Sequence, residues 1–200
     1  MRNLQPIQNS MKSPQIAIID NFDSFTYNLV HALEAVGASC VVMRNNSLDW
    51  KTLEMADGVV LGPGPGLPFE AGELMIAIDR LHKLKPMLGV CLGHQAIGEY
   101  FGAELINLES VYHGCEANVS WIGENSLVEN CPGQWTVGLY HSWAVRLAPD
   151  SNLEALAFSS DDVLMAFRHR ALPLYGIQFH PESVMTAMGR DLLGNWVQTL

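Results

Sequence analysis

The chain has 200 residues, 48% of them hydrophobic, and carries a formal charge of -10. This length fits one domain with a sizeable core, burying about 70% of the unfolded surface. The acidic balance, with no basic cluster, argues against nucleic acid as a partner, and no apolar run approaches the roughly 20 residues of a membrane span. Four cysteines, Cys40, Cys91, Cys115 and Cys131, show no paired C-x-x-C spacing and read as free thiols of a reducing compartment, the cytoplasm.

Residues 1–14 are polar, lack the apolar core of a signal peptide and read as a mobile tail, with Met11 as an alternative start; residues 15–200 read as the folded domain. Ile16 to Ile19 form a short strand ending at Asp20. The polar and aromatic loop Asn21-Phe22-Asp23-Ser24-Phe25 follows, with Asp23 or Ser24 placed to cap the next helix. That helix spans about Thr26 to Ala35, striped by Tyr27, Leu29, Val30 and Leu33 and ended by Gly37. Cys40 to Met43 read as a strand, Asn45-Asn46-Ser47 as a turn, the region of Leu53 as a weak helix and Val59 to Leu61 as a third strand. A helix from about Gly72 to Leu84 carries Met75, Ile78 and Leu81.

This rhythm indicates an α/β fold: a mostly parallel central sheet with helices on both faces. Sites in such sheets gather beyond the C-terminal strand ends, so Asp20, Arg44, Gly62 and Cys91 should share one edge. From Ala103 the character changes. Short alternating runs appear at Ala117 to Trp121, Trp135 to Tyr140, Leu153 to Phe158, Val163 to Phe167 and Leu174 to Phe179, which indicates a more antiparallel C-terminal half in the same domain. A C-terminal helix shows an apolar face of Leu192, Leu193, Trp196 and Val197.

Three stretches carry chemistry. In Gly89-Val90-Cys91-Leu92-Gly93-His94-Gln95 an apolar run ends at Cys91 and a helical pattern begins. Glycines two residues either side suit a strained strand-turn-helix elbow, which would hold the thiol above a helix N-terminus that favours thiolate. Alone, the pattern suits a packing cysteine as readily as a nucleophile. Gly62-Pro63-Gly64-Pro65-Gly66 offers N–H donors at Gly64 and Gly66 in a loop stiffened by prolines, suiting either a rigid oxyanion hole or an ordinary tight loop. It is no phosphate-binding loop, because no Lys-Ser or Lys-Thr follows. In His180-Pro181-Glu182 the extended backbone before proline puts Glu182 on the same side as His180, where it can fix the tautomer; alone, the tripeptide also suits a turn. His113 and His141 are candidate ligands or bases, but lone histidines with no second ligand at metal spacing are usually structural; no metal site is evident.

Together, each at a predicted strand end, the three stretches point to a Cys–His–Glu hydrolase. Cys91 attacks a carbonyl, His180 relays the proton and Glu182 orients it. The N–H of Leu92 and one from the Gly64–Gly66 loop hold the oxyanion. Residue chemistry gives acyl transfer through a thioester and leaves the acyl group open.

These stretches resemble the signatures of class I glutamine amidotransferases, from Ile16 to the C-terminus. Asp20-Asn21-Phe22-Asp23-Ser24-Phe25-Thr26-Tyr27-Asn28-Leu29 is similar to the opening of one branch, anthranilate synthase component II and the glutaminase subunit of aminodeoxychorismate synthase. The resemblance implies hydrolysis of L-glutamine and delivery of ammonia to a separate chorismate-aminating synthase subunit, because no synthase domain is expected in this chain. It implies that Gly64, Pro65, Gly66, Gln95, Ser142 and Trp143 bind glutamine, that Gly66 and Leu92 form the oxyanion hole, and that Asn21, Asp23, Ser24 and Tyr27 face the partner. It implies no cofactor in this chain, the partner synthase using Mg2+. Three positions depart from the pattern: Gly62 for serine, Trp143 for leucine, and Cys115 for the lysine after His113-Gly114. Family contacts at position 143 run through the backbone, so activity is expected to survive. Competing readings are a stand-alone thiol hydrolase and a non-catalytic subunit; the presence of Cys91, His180 and Glu182 argues against the second.

Overall fold

A computed structural model describes residues 13–200. The expected tail lies outside the described residues except at positions 13 and 14. The first half alternates strands and helices: β1 (Gln15–Asp20), α1 (Thr26–Glu34), β2 (Ser39–Arg44), α2 (Trp50–Met55), β3 (Gly58–Leu61), α3 (Leu74–Leu81), β4 (Met87–Val90) and α4 (Leu92–Tyr100). Then come β5 (Glu104–Trp121), β6 (Gln134–Arg146), β7 (Leu153–Ser159), β8 (Leu164–His169), β9 (Leu174–Ile177) and α5 (Gly189–Val197).

One nine-stranded sheet runs in the order β2-β1-β3-β4-β9-β8-β7-β5-β6. The pairs among β2, β1, β3, β4 and β9 are parallel, and those from β9 through β8, β7 and β5 to β6 are antiparallel. β3 and β4, inside the parallel group, are buried along their whole length, as their apolar sequences require, while β2 at the edge is mostly half-buried. Alternate residues of β1 serve the two faces: Ile16 and Ile18 pack with Leu29 and Leu33 of α1 and Leu192 and Trp196 of α5, while Ala17 and Ile19 pack with Leu53 of α2, Ile78 of α3 and Ile97 of α4. Helices therefore cover both faces, and the fold is α/β with an antiparallel second half.

Several expected elements change. The helix expected over 72–84 is only α3, because Gly72 has φ 56 and lies outside the helical region. The cap of α1 is neither Asp23 nor Ser24. Phe25 occupies that position without a side-chain bond, and Asp23 instead accepts from the Phe25 N–H at 2.7 Å. β5 starts thirteen residues before the expected Ala117, since most of its side chains alternate at a half-exposed surface and leave no apolar run. The pattern expected to end at Tyr140 continues through His141, Ser142 and Trp143 as β6, paired with β5 across two register shifts. The last strand, expected with the antiparallel group, also joins the parallel one: β9 pairs with β4, Val90 opposite Ile177. That return sets up the site.

Candidate active site

The parallel strands end along one edge. Asp20 and Arg44 are register partners at the ends of β1 and β2, and Gly62 and Cys91 follow β3 and β4. Because β9 is parallel to β4, the residues after Ile177 arrive at the same edge; the Cys91 N–H donates to the Ile177 carbonyl at 2.9 Å.

Cys91 is the residue before α4 and has φ 51, ψ -102, a conformation that costs a non-glycine residue energy and persists only where neighbours enforce it. Two glycines enforce it. A Cβ on Gly89 would collide with the Gly93 carbonyl, and a Cβ on Gly93 would collide with the Leu61 carbonyl of β3. The strand, the turn and the first turn of α4 are thus in backbone contact, which only glycine permits. The Leu92 N–H belongs to the first turn of α4, which has no carbonyl one turn back to bond.

His180 comes to the same place by longer-range bonds. Its N–H donates to the Gly138 carbonyl of β6 at 3.1 Å, and its carbonyl accepts from the Thr186 hydroxyl at 2.6 Å. Nδ1 meets Glu182 Oε1 at 2.6 Å, and both side chains are buried. Phe25 and Tyr140 pack on the imidazole at 5.6 and 5.0 Å between ring centroids. Nε2 is buried with no hydrogen-bond partner among the described residues. Burial pulls the ring's pKa down, but the neighbouring Cys91 sulfur and Glu182 carboxylate outweigh it and push the pKa up to about 10. Such a ring holds a proton beside the sulfur, as an imidazolium–thiolate pair requires.

A cavity of about 200 Å³ opens on Cys91. Gly64, Pro65 and Gly66 form one side, Gln95 the floor, and Tyr140 to Trp143 of β6 the other side. All six residues expected to hold substrate therefore line it. Gly66 has φ 78, and a Cβ at Gly64 would come within 2.5 Å of Asn21 Cβ, so the loop is pressed against the end of β1. Larger depressions, of about 410, 550 and 290 Å³, also occur; none of the three brings a thiol beside a histidine.

Of the residues expected to face a partner, Tyr27 is 63% exposed and Ser24 is exposed, as is the neighbouring Phe22, while Asp23 is half-buried. Asn21 is corrected: it is 2% exposed, donates to the Gly62 carbonyl at 2.8 Å and accepts from Asn45 at 3.0 Å. It braces the glycine-proline loop and presents no side chain outward. Gly62 itself has little room for a side chain, since a Cβ there would lie 2.7 Å from the Ile19 carbonyl. Cys115, opposite Leu139 on β6, packs part-buried against the core.

No role for Phe25, Tyr140 or Gln178 is evident in the sequence, where His141 is a candidate base outweighed by a structural role. His141 is a wall of the cavity; Nδ1 lies 2.9 Å from the Trp143 carbonyl, and burial lowers its pKa to about 4, so it stands neutral. Gln178 is fully buried, and its Nε2 lies 3.7 Å from Cys91 Sγ. Its place two residues before His180 in an extended run was the available signal.

Residues 17–200 match the family model described as glutamine amidotransferase class-I. The chain belongs to the class I glutamine amidotransferases. It is 41% identical over 191 residues to anthranilate synthase component 2 of Azospirillum brasilense, covering 92% of this chain and 95% of that one. It is 38% identical over 189 residues to aminodeoxychorismate/anthranilate synthase component 2 of Bacillus subtilis, covering 92% and 96%. Among solved structures, a candidate GMP synthase subunit of Thermoplasma acidophilum superimposes with a TM-score of 0.84 at 28% identity, over 94% of both chains. In this amidotransferase the elbow and the glycine-proline loop meet at one cavity, and the His-Pro-Glu segment brings its imidazole beside the Cys91 sulfur.

Proposed function

We propose that this amidotransferase is the glutaminase subunit of a chorismate-aminating synthase, with anthranilate synthase as its assembly. The observation that carries the chemistry is that strained Cys91, which lines a cavity with Gly64–Gly66 and Gln95, neighbours the buried His180–Glu182 pair.

Cys91 Sγ adds to the side-chain amide carbon of glutamine. Negative charge moves to the amide oxygen, where the N–H groups of Leu92 and Gly66 receive it; one such donor is worth about 3–4 kcal/mol. His180 Nε2 gives its proton to the departing nitrogen, and ammonia leaves as the thioester forms. Water then attacks the thioester, His180 takes a proton from it, and glutamate departs with the Cys91 thiolate restored. Glu182 holds the ring in one tautomer and stabilises its charged form throughout. Ser142 and Trp143, on the β6 wall, hold the amino-acid end of the substrate.

Ammonia passes to a separate synthase subunit that binds chorismate and carries the Mg2+; no cofactor is needed in this chain. Exposed Phe22, Ser24 and Tyr27 mark the face that subunit would cover. Free cysteines suit a cytoplasmic setting, and among the described residues no helix is long and apolar enough to cross a membrane. A second reading, service to aminodeoxychorismate synthase or to both enzymes, is favoured by the double name of the Bacillus relative.

The test is glutamate release from glutamine by the purified chain, alone and then with each synthase plus chorismate, beside Cys91→Ala. Weak release alone, stimulation by one synthase and loss in the variant are expected. Full turnover in Cys91→Ala overturns the nucleophile, and no release under any condition by the folded, reduced chain overturns the enzyme.

A further inference from the structure

Two buried glutamine amides lie between the β6 wall and the reactive sulfur. Gln95 stands one helical turn after Cys91 on α4. Its Nε2 donates to the Trp143 carbonyl at 3.0 Å and to Gln178 Oε1 at 3.2 Å. Gln178 Nε2 then faces Cys91 Sγ at 3.7 Å. Gln178 is fully buried, its main-chain N–H is held by the Met165 carbonyl of β8 at 2.8 Å, and its side chain makes no other hydrogen bond among the described residues.

The two ends of a carboxamide look alike in shape, so which end meets the sulfur has to be settled by the bonding partners. Here they settle it. A main-chain carbonyl can only accept, so the Gln95 atom facing Trp143 O is the nitrogen. That same nitrogen faces Gln178, so the Gln178 atom it meets is the oxygen. The other end of Gln178, aimed at Cys91, is therefore an N–H donor. Reversing Gln178 would set two buried donors against each other and turn a carbonyl toward the sulfur. We propose that Gln178 is a positioning residue for the nucleophile: its amide donates to the Cys91 sulfur, and the Trp143 carbonyl, acting through Gln95, fixes that donor in place.

The consequence is chemical. A thiol sulfur is a weak acceptor and a thiolate a strong one, so a fixed donor favours the ionised nucleophile. The donor approaches independently of His180, giving the thiolate a second support before it attacks and again when it is released from the thioester. Because Gln95 and Trp143 also line the cavity, the wall that takes the substrate and the group that holds the sulfur are joined by two hydrogen bonds. The inference rests on the reading of Cys91 as nucleophile.

The experiment is the pH profile of iodoacetamide alkylation at Cys91, followed by mass spectrometry of its peptide in the parent chain, Gln178→Met, Gln178→Glu and Gln95→Met, with Cys131 in the same digests as the standard. Removing a hydrogen bond to a charged acceptor in Gln178→Met is expected to raise the Cys91 midpoint by about one pH unit. Gln178→Glu, which brings a carboxylate to the sulfur, raises it further, and Gln95→Met, which frees the amide to turn, raises it less. Cys131 stays put in all. Unchanged Cys91 midpoints in the folded Gln178 variants overturn the inference; should neither fold, an unchanged midpoint in Gln95→Met does so. Glutamate release by Cys91→Ala is measured alongside. Its loss with unmoved midpoints sinks only the role of Gln178, whereas its persistence sinks the nucleophile itself.

Discussion

Cys91 and His180 leave neighbouring strands at one edge of the sheet, yet they are held by opposite means. Cys91 is held by backbone against backbone: Gly89, Gly93 and the Leu61 carbonyl leave the turn no other path. His180 is held by side chains and distant strands: Glu182 on its ring, Thr186 on its carbonyl, Gly138 on its N–H, and Phe25 and Tyr140 against its faces. A backbone cradle cannot yield to a substitution. A side-chain cradle can lose one member and keep its shape. Damage at the cysteine turn should therefore cost the fold, whereas damage around the histidine should cost the chemistry more than the fold.

The largest expected effect is at Gly93. A single methyl there meets a main-chain carbonyl, and neither the strand nor the helix can move without the other. Gly93→Ala is expected to destabilise the chain by at least about 4 kcal/mol, among the larger single-residue effects. Urea unfolding followed by circular dichroism measures it, and a loss below about 1 kcal/mol would mean the turn is softer than its contacts imply. Next comes Glu182→Gln, which keeps the volume and removes the charge beside Nδ1. Glutamate release is expected to fall about 10²–10⁴-fold, the range for a lost acid–base orienter, with KM nearly unchanged. The unfolding curve should shift as well below about pH 10, because the buried pair with His180 is broken. The shift should be smaller than in Gly93→Ala, since glutamine keeps the volume and can still accept from Nδ1.

A third prediction sets three histidines apart by pH. His94 and His141 are buried and neutral, their pKa values lowered to about 3 and about 4 chiefly by burial. Folded values below the ordinary 6.5 mean that the unfolded chain takes up these protons first. Their contribution is present above pH 6.5 and is lost as pH falls toward 4 and 3. His180 runs the other way. Its folded value, raised to about 10, gives a contribution fully present below pH 6.5 and lost as pH rises through 10. The urea midpoint plotted against pH should form a dome. Glu182→Gln flattens its alkaline limb and His94→Gln its acid limb; a dome with both limbs unchanged in these variants would assign the titration to other groups.

The same contrast explains what could be read from the sequence. Apart from the Leu61 carbonyl, the determinants of the Cys91 turn lie within seven residues, so the apolar run, the flanking glycines and the helical pattern disclose it. The His180–Glu182 pairing follows from extended spacing before a proline, again a local matter. The parallel half was legible because its strands are short and mostly apolar. β5 was not, since its residues are mostly half-exposed and its pairing with β6 slips twice, at Asn107/Tyr112 and His113/Cys115. The β6 wall was reached only by family likeness, because what brings Tyr140–Trp143 to the cysteine is pairing with a strand about thirty residues away. Asn21 was misplaced for a related reason: a polar residue in a loop reads as surface until the loop that closes over it, Gly62–Gly66, is in view.

The smallest expected effect tests the far side of the site. Trp143 stands where the resemblance leads one to expect leucine, which at first sight marks it as a determinant of substrate choice. The structure locates the work in its main chain. The Trp143 carbonyl accepts from Gln95 and lies 2.9 Å from His141 Nδ1, and β6 carries that carbonyl to the cavity whatever the side chain, through pairing with Asn107. Trp143→Leu is therefore expected to change kcat/KM for glutamine by no more than about twofold, within the ±0.5 kcal/mol typical of substitutions that leave such features intact. Steady-state glutamate release measures it. A larger loss would mean that the indole itself touches the substrate, and that this wall is a side-chain cradle like the one around His180. A result within the expected range would place it with the Cys91 turn, where backbone geometry acts and the identity of the exposed side chain is free to drift.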